Sequence, residues 1–205
     1  MNHKLVVILL TLALLFSSAS LIAGELQVQV VDEQGKPVAG AVVFLESAAA
    51  SAAVKPIDDA RIVQKDKTFI PDVLVIPRGT AVYFPNEDTV RHHVYSFSAI
   101  KPFEIKLYVG TPAAPVLFDQ SGVAVLGCNI HDEMIAWVVA VDTPYYSRSD
   151  EQGLSRLEQV PAGSYTLRVW HKDLLNEQDV PRLGITLPNS LQKITVTLPK
   201  LAPVF

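Results

Sequence analysis

Three side chains that favour soft metals lie within seven residues of one another in the run Cys128-Asn129-Ile130-His131-Asp132-Glu133-Met134. A loop of that length can bring a thiolate, an imidazole and a thioether to one point. Cysteine and histidine with a weak, distant thioether are the donors of type 1 (blue) copper sites, which pass single electrons. Such a site takes a second imidazole. Of the five histidines, His3, His92, His93, His131 and His171, the adjacent pair His92-His93 offers one. His171 follows Trp170 at the end of a strand-like run and reads as an ordinary surface histidine. Glu87-Asp88 and Asp132-Glu133 read as a solvated acidic rim. No G-x-S-x-G, H-E-x-x-H or P-loop pattern is present, and no second metal cluster or substrate-binding motif is visible. The expectation is a carrier rather than an enzyme.

These residues need rigid supports, and the chain offers strands. In the middle region, residues 55–142, strand-like runs occur at Ile62-Val63-Gln64, Val73-Leu74-Val75-Ile76, Ala81-Val82-Tyr83-Phe84, His93-Val94-Tyr95-Ser96-Phe97 and Ile135 to Val141. Pro77-Arg78-Gly79 and similar turns separate them. The terminal segments, 25–47 and 150–199, have a different texture. Leu26-Gln27-Val28-Gln29-Val30 and Tyr165-Thr166-Leu167-Arg168-Val169 alternate with the period of half-buried strands. Asp150-Glu151-Gln152-Gly153 repeats the turn tetrapeptide Asp32-Glu33-Gln34-Gly35. Ala48 to Ala53 reads as a small-residue linker. The expected architecture is all-β: one sandwich, residues 55–142, inserted into a second, smaller one formed by the two terminal segments.

The middle region resembles the cupredoxins, in particular the amicyanin–plastocyanin–pseudoazurin group. Phe69, Pro71, Leu74, Ile76, Gly79, Thr80, Val82, Phe84 and Asn86 match the strand-turn-strand before the first ligand. His92-His93-Val94 stands where that group has His-Asn-Val, and Cys128-x-x-His131-x-x-Met134 matches the short ligand loop of amicyanin. The resemblance implies a Greek-key β-sandwich holding one copper ion that cycles between Cu(I) and Cu(II). His92 and His131 would be the imidazole ligands, Cys128 the thiolate and Met134 the axial thioether. Adjacent residues on a strand point to opposite faces, so His92 and His93 should not both reach one ion. His93 in place of Asn and Asp132 in place of Pro depart from the group. The terminal segments resemble the regulatory-like β-sandwiches found beside carboxypeptidases, through Asp32, Gly35, Pro37, Val38 and Gly40, then Asp150, Gly153, Val160 to Gly163, Tyr165 and Leu167. The combination is similar to exported proteins labelled methylamine-utilisation or plastocyanin-like.

The function this implies is an electron carrier between redox partners such as a c-type cytochrome or an oxidoreductase. The alternatives are a copper-holding or delivery protein, or a non-metal structural module. Delivery chains often carry Met or His tracts, and beyond Met1 this chain has only Met134. Lys4, the apolar run Leu5–Phe16 and the small residues up to Ala23 follow the plan of a secretory signal peptide, expected over 1–23. The run is too short to span a bilayer, so no membrane span is expected after its removal. The expected compartment is the periplasm, or the exterior after secretion. Over 205 residues, 49% hydrophobic content excludes a disordered chain, and one cysteine excludes a disulfide-stapled miniprotein. A net charge of −4 with no basic stripe argues against nucleic-acid binding. Fourteen Pro and ten Gly predict many turns and short strands.

Overall fold

The computed structural model describes residues 24–112, 114–174, 176–199 and 201; the signal peptide expected over 1–23 lies outside them. The elements, in chain order, are β1 (Gly24–Val31), β2 (Val42–Glu46), α1 (Ala48–Ala52), β3 (Val63–Lys65), β4 (Thr68–Ile70), β5 (Val73–Pro77), β6 (Thr80–Val82), β7 (His92–Ser96), β8 (Phe103–Tyr108), β9 (Val116–Phe118), β10 (Gly122–Gly127), β11 (Ile135–Val141), β12 (Tyr146–Arg148), β13 (Leu154–Val160), β14 (Gly163–Trp170), β15 (Arg182–Leu187) and β16 (Leu191–Thr197). The chain is all-β, as its alternating runs predict. Among the described residues no helix is long and apolar enough to cross a membrane.

Alternation decides which faces meet. Along β1, Leu26, Val28 and Val30 are buried, while Gln27 and Gln29 are half-buried on the other face. β1 lies between β13, antiparallel, and β16, parallel, with Val28 opposite both Ser155 and Ile194. A second sheet runs β12-β2-β14-β15. The two sheets share a core that includes Leu26, Val28, Leu45, Leu167 and Val196. The parallel pairing sets the two ends of the described chain side by side. The repeated tetrapeptide forms the same turn twice. Asp32 Oδ1 accepts the N–H groups of Gln34 (2.9 Å) and Lys36 (2.8 Å), and Asp150 Oδ1 accepts those of Gln152 (3.0 Å) and Leu154 (2.9 Å). The run from Ala48, which its composition suggests is a linker, is helical. Ser47 Oγ accepts the Ala50 N–H at 3.1 Å and caps a short helix, because a serine at the N-cap satisfies an otherwise orphaned donor.

The middle of the chain builds a five-stranded sheet, β5-β11-β10-β7-β8, with the pairs β3-β4 and β6-β9 beside it. Their interior cluster includes Ile62, Phe84, Val94 and Phe118, together with Cys128 and Met134. A third cluster joins the two halves of the molecule. In it Val42, Phe44 and Trp170 of β2 and β14 pack with Val73, Val139 and Val141 of β5 and β11.

Candidate metal centre

The loop between β6 and β7 is tied down before it delivers a histidine. Asn86 exchanges backbone hydrogen bonds with Gly110 at 2.8 and 3.1 Å. Its side-chain amide donates to the carbonyls of Val90 (2.9 Å) and Tyr108 (2.8 Å), and its Oδ1 accepts the Asp88 N–H at 2.9 Å. Two residues of the β3–β4 turn, Asp66 and Lys67, adopt left-handed φ of 52° and 59°. That conformation turns both N–H groups onto the Asp88 carboxylate, at 2.7 and 3.0 Å. The same carboxylate meets His92 Nε2 at 2.7 Å. These contacts hold the Asp88 carboxyl below its ordinary value; the Lys67 N–H contributes most, and partial burial opposes it.

Asp88 therefore fixes the state of the His92 ring. Opposite a carboxylate, Nε2 carries a proton and donates it, and in the neutral ring that tautomer leaves the lone pair on Nδ1. His92 is fully buried, and its Nδ1 has no hydrogen-bond partner. A buried nitrogen lone pair without a partner is costly unless something occupies it.

The second part of the centre follows β10. Cys128 is buried at the end of that strand; His131 is half-buried in the following turn, and Met134 is buried where the chain enters β11. The Met134 N–H donates to the His131 carbonyl at 3.0 Å, which closes the turn. Cys128 Sγ and His131 Nδ1 are 4.0 Å apart. The His92 and His131 rings meet at 4.9 Å with planes inclined by 60°. One ligand atom from each of His92, Cys128 and His131 lies within 4.8 Å of the others. A metal about 2.0–2.3 Å from each N or S donor would hold those donors within about 4 Å of each other. The cluster thus has nearly the dimensions of a coordination sphere, and His92, whose Nδ1 has no partner, belongs to it. The donor set fits a soft or borderline metal, copper among them.

Support beneath the site is polar and buried. Gln64, fully buried, hydrogen-bonds the Tyr108 hydroxyl, which donates to the Phe84 carbonyl at 2.6 Å. Burial pushes the Tyr108 phenol up to about 12; the Gln64 contact opposes this and nearby Cys128 adds to it. Tyr108 therefore remains a donor throughout the ordinary pH range.

Of the sequence candidates, His92, Cys128 and His131 converge, and Met134 shares the buried cluster of Cys128. His93 turns away, with its Nε2 3.0 Å from Glu104 Oε1. A register shift in the β7–β8 pairing falls between His92 and Val94. Two sequence expectations need correction. Asp88 is not part of a solvated rim; its side chain is 13% exposed and spent on His92 and the β3–β4 turn. His171 is not a surface histidine. It is buried, with Nε2 3.1 Å from the Ala39 carbonyl.

No protein-family model matches this sequence, and no curated protein matches it. Among solved structures, the chain is similar to a purple cupredoxin from Nitrosopumilus maritimus, with 24% identity over 40% of this chain and 100% of that one and a TM-score of 0.37. It is similar to amicyanin from Paracoccus versutus, with 19% identity over 48% of this chain and 97% of that one and a TM-score of 0.35. It is also similar to a copper-containing nitrite reductase from Thermus scotoductus, with 23% identity over 47% of this chain, 27% of that one and a TM-score of 0.38.

Proposed function

We propose that this protein is an exported, periplasmic single-copper electron carrier. In this reading Nδ1 of His92, Sγ of Cys128 and a ring nitrogen of His131 would hold the copper, and the Met134 thioether would be a further, weaker donor. The observation that supports it is the convergence of His92, whose Nδ1 is buried and unpartnered, with Cys128 and His131 from a loop more than thirty residues away in sequence. Copper bound there would supply a Cu(I)/Cu(II) couple. The chain supplies fixed donors: Asp88 holds the His92 tautomer, Asn86 holds the loop that carries it, and the turn from Cys128 to Met134 sets the other donors. A rigid donor set suits a carrier, because little has to move when an electron arrives or leaves. Half-buried His131 is the ligand nearest solvent, and an electron would pass there to a redox protein such as a c-type cytochrome or an oxidoreductase. The same reading divides the chain into a copper unit, residues 55–142, and a regulatory-like sandwich built from 25–47 and 150–199.

The test is addition of one equivalent of Cu(II) to the purified protein, with Cys128→Ser beside it. An intense thiolate-to-copper absorption and narrow copper hyperfine splitting, both absent from the variant, support the carrier. Tight copper binding with only ordinary tetragonal spectra would indicate holding or delivery. Failure to bind copper stoichiometrically would remove both metal readings.

A further inference from the structure

One face of β7 carries a row of rings. His93 and Tyr95 stand at alternate positions, and Phe97 follows just past the strand; their centroids are separated by 5.6 and 5.1 Å. Tyr95 lies so close over Gly127 that a Cβ there would come within 2.7 Å of its hydroxyl. Phe97 is 86% exposed. A cavity of about 430 Å³ opens beside this row, lined by Tyr95, Phe97, Phe103, His93, Glu104 and Asn129 among others. That volume is in the range of small-molecule sites.

The charges in the cavity are one-sided. Glu104 is the acidic residue of the lining, which among the described residues includes no Lys or Arg. Lys106, two positions further along β8, lines an adjoining depression that Glu104, His93 and Asn129 share. His93 is buried, and its Nε2 lies 3.0 Å from Oε1 of Glu104, whose side chain is 54% exposed, so one carboxylate oxygen is drawn to the cavity wall. Aromatic rings beside a carboxylate attract a cation that also has apolar surface. An anion would be repelled by Glu104. A bare inorganic cation would gain little from the apolar walls, and a neutral apolar ligand would leave the carboxylate unused.

We propose that this cavity binds a trimethylammonium group, with its methyls against Tyr95 and Phe97 and its charge balanced by Glu104. The proposal is independent of the copper reading, since none of these side chains is a proposed ligand, and it is testable on the metal-free full chain. Choline is titrated against the protein by calorimetry, beside its neutral isostere 3,3-dimethyl-1-butanol. The expected result is one saturable site for choline, with the isostere weaker by about tenfold or more. Phe97→Ala, at an exposed position, and Glu104→Gln, which keeps an acceptor for His93, should each weaken choline by about fivefold. Equal binding of choline and the isostere, no saturable choline binding, or unchanged affinity in both variants overturns the proposal. Phosphatidylcholine vesicles separate the sources of the group. Cosedimentation that free choline abolishes assigns a lipid headgroup; choline binding without cosedimentation assigns a free soluble compound.

Discussion

The His92 ring shows how one residue's chemistry is settled by groups far from it in sequence. Its pairing with Asp88 spans four residues, yet Asp88 is aimed by the N–H groups of Asp66 and Lys67 more than twenty residues earlier. Asp88→Asn keeps an acceptor for the turn but loses the charge opposite His92 Nε2. The neutral amide no longer enforces the tautomer that frees Nδ1. We expect metal affinity to fall by about 10–100-fold, the usual effect of losing such an outer partner, while the metal-free protein keeps its fold. A competition titration of Asp88→Asn and the parent with a chromogenic chelator measures this; equal affinities would show that Asp88 does not govern the donor. The sequence discloses Cys128, His131 and Met134 because they fall within seven residues, and His92 rather than His93 only through the His-x-Val order of the group it resembles. It does not disclose Asp88, whose role depends on where the β3–β4 turn folds back. Nothing in the local sequence separates a solvated acid from one gathered onto two backbone donors.

At the scale of elements, the repeated turns offer an internal comparison. Gly35 and Gly153 both sit at positive φ, 78° and 73°, so alanine at either costs about 1–2 kcal/mol of backbone strain. Their surroundings differ. A Cβ at Gly35 meets nothing within 4 Å, whereas at Gly153 it would lie 2.4 Å from the Val30 carbonyl oxygen. Gly153→Ala should therefore lose about 1–3 kcal/mol more than Gly35→Ala, the scale of overpacking. Urea midpoints of the two variants decide it, and equal losses would mean the β1 end yields freely. The strand grammar around these turns was readable because alternation reports a half-buried face directly. β10 was harder to read, being bounded by Gly122 and Gly127, residues that signal turns. The helix at Ala48–Ala52 is not legible in the sequence, because its small side chains carry no periodicity. His171, just past β14, illustrates the same limit, since the Ala39 carbonyl that covers it belongs to a distant turn. Burial holds its imidazole below the ordinary value; Asp173 opposes this, while Lys172 and Arg148 reinforce it. Above about pH 6.5 the ring is neutral in both folded and unfolded chains, and its contribution is complete. Below that, the unfolded chain takes up a proton that the folded chain resists, so stability falls as pH drops. His171→Gln should flatten the decline in urea midpoint between pH 7.5 and pH 5.5, and an unaltered slope would assign the decline to other groups.

For the whole molecule, the question is whether the two sets of sheets act as one body. Their shared seam is apolar at its centre, with Phe44 and Trp170 against Val139 and Val141. It is fastened by polar contacts at its edges. Ser51, in the helix after β2, donates to the Asp142 carboxylate at 2.5 Å, and Lys172, just past β14, meets Asp72 at 3.1 Å. Exposed ion pairs contribute little by themselves, so the buried side chains must carry the coupling. Phe44 is 6% exposed, and replacing a buried phenylalanine by alanine costs about 3–5 kcal/mol. Because the seam belongs to both sets of sheets, that loss should destabilise them together. The chain reports this itself. Its two tryptophans, Trp137 and Trp170, both lie at the seam, so fluorescence reads the junction while far-ultraviolet dichroism reads every sheet. In the parent protein the two signals should follow one transition in urea. In Phe44→Ala both should move to lower urea by the same amount. If fluorescence shifts early while a dichroism transition stays behind at the parental midpoint, one set of sheets stands without the other, and the seam is a contact between independent bodies rather than part of a common core.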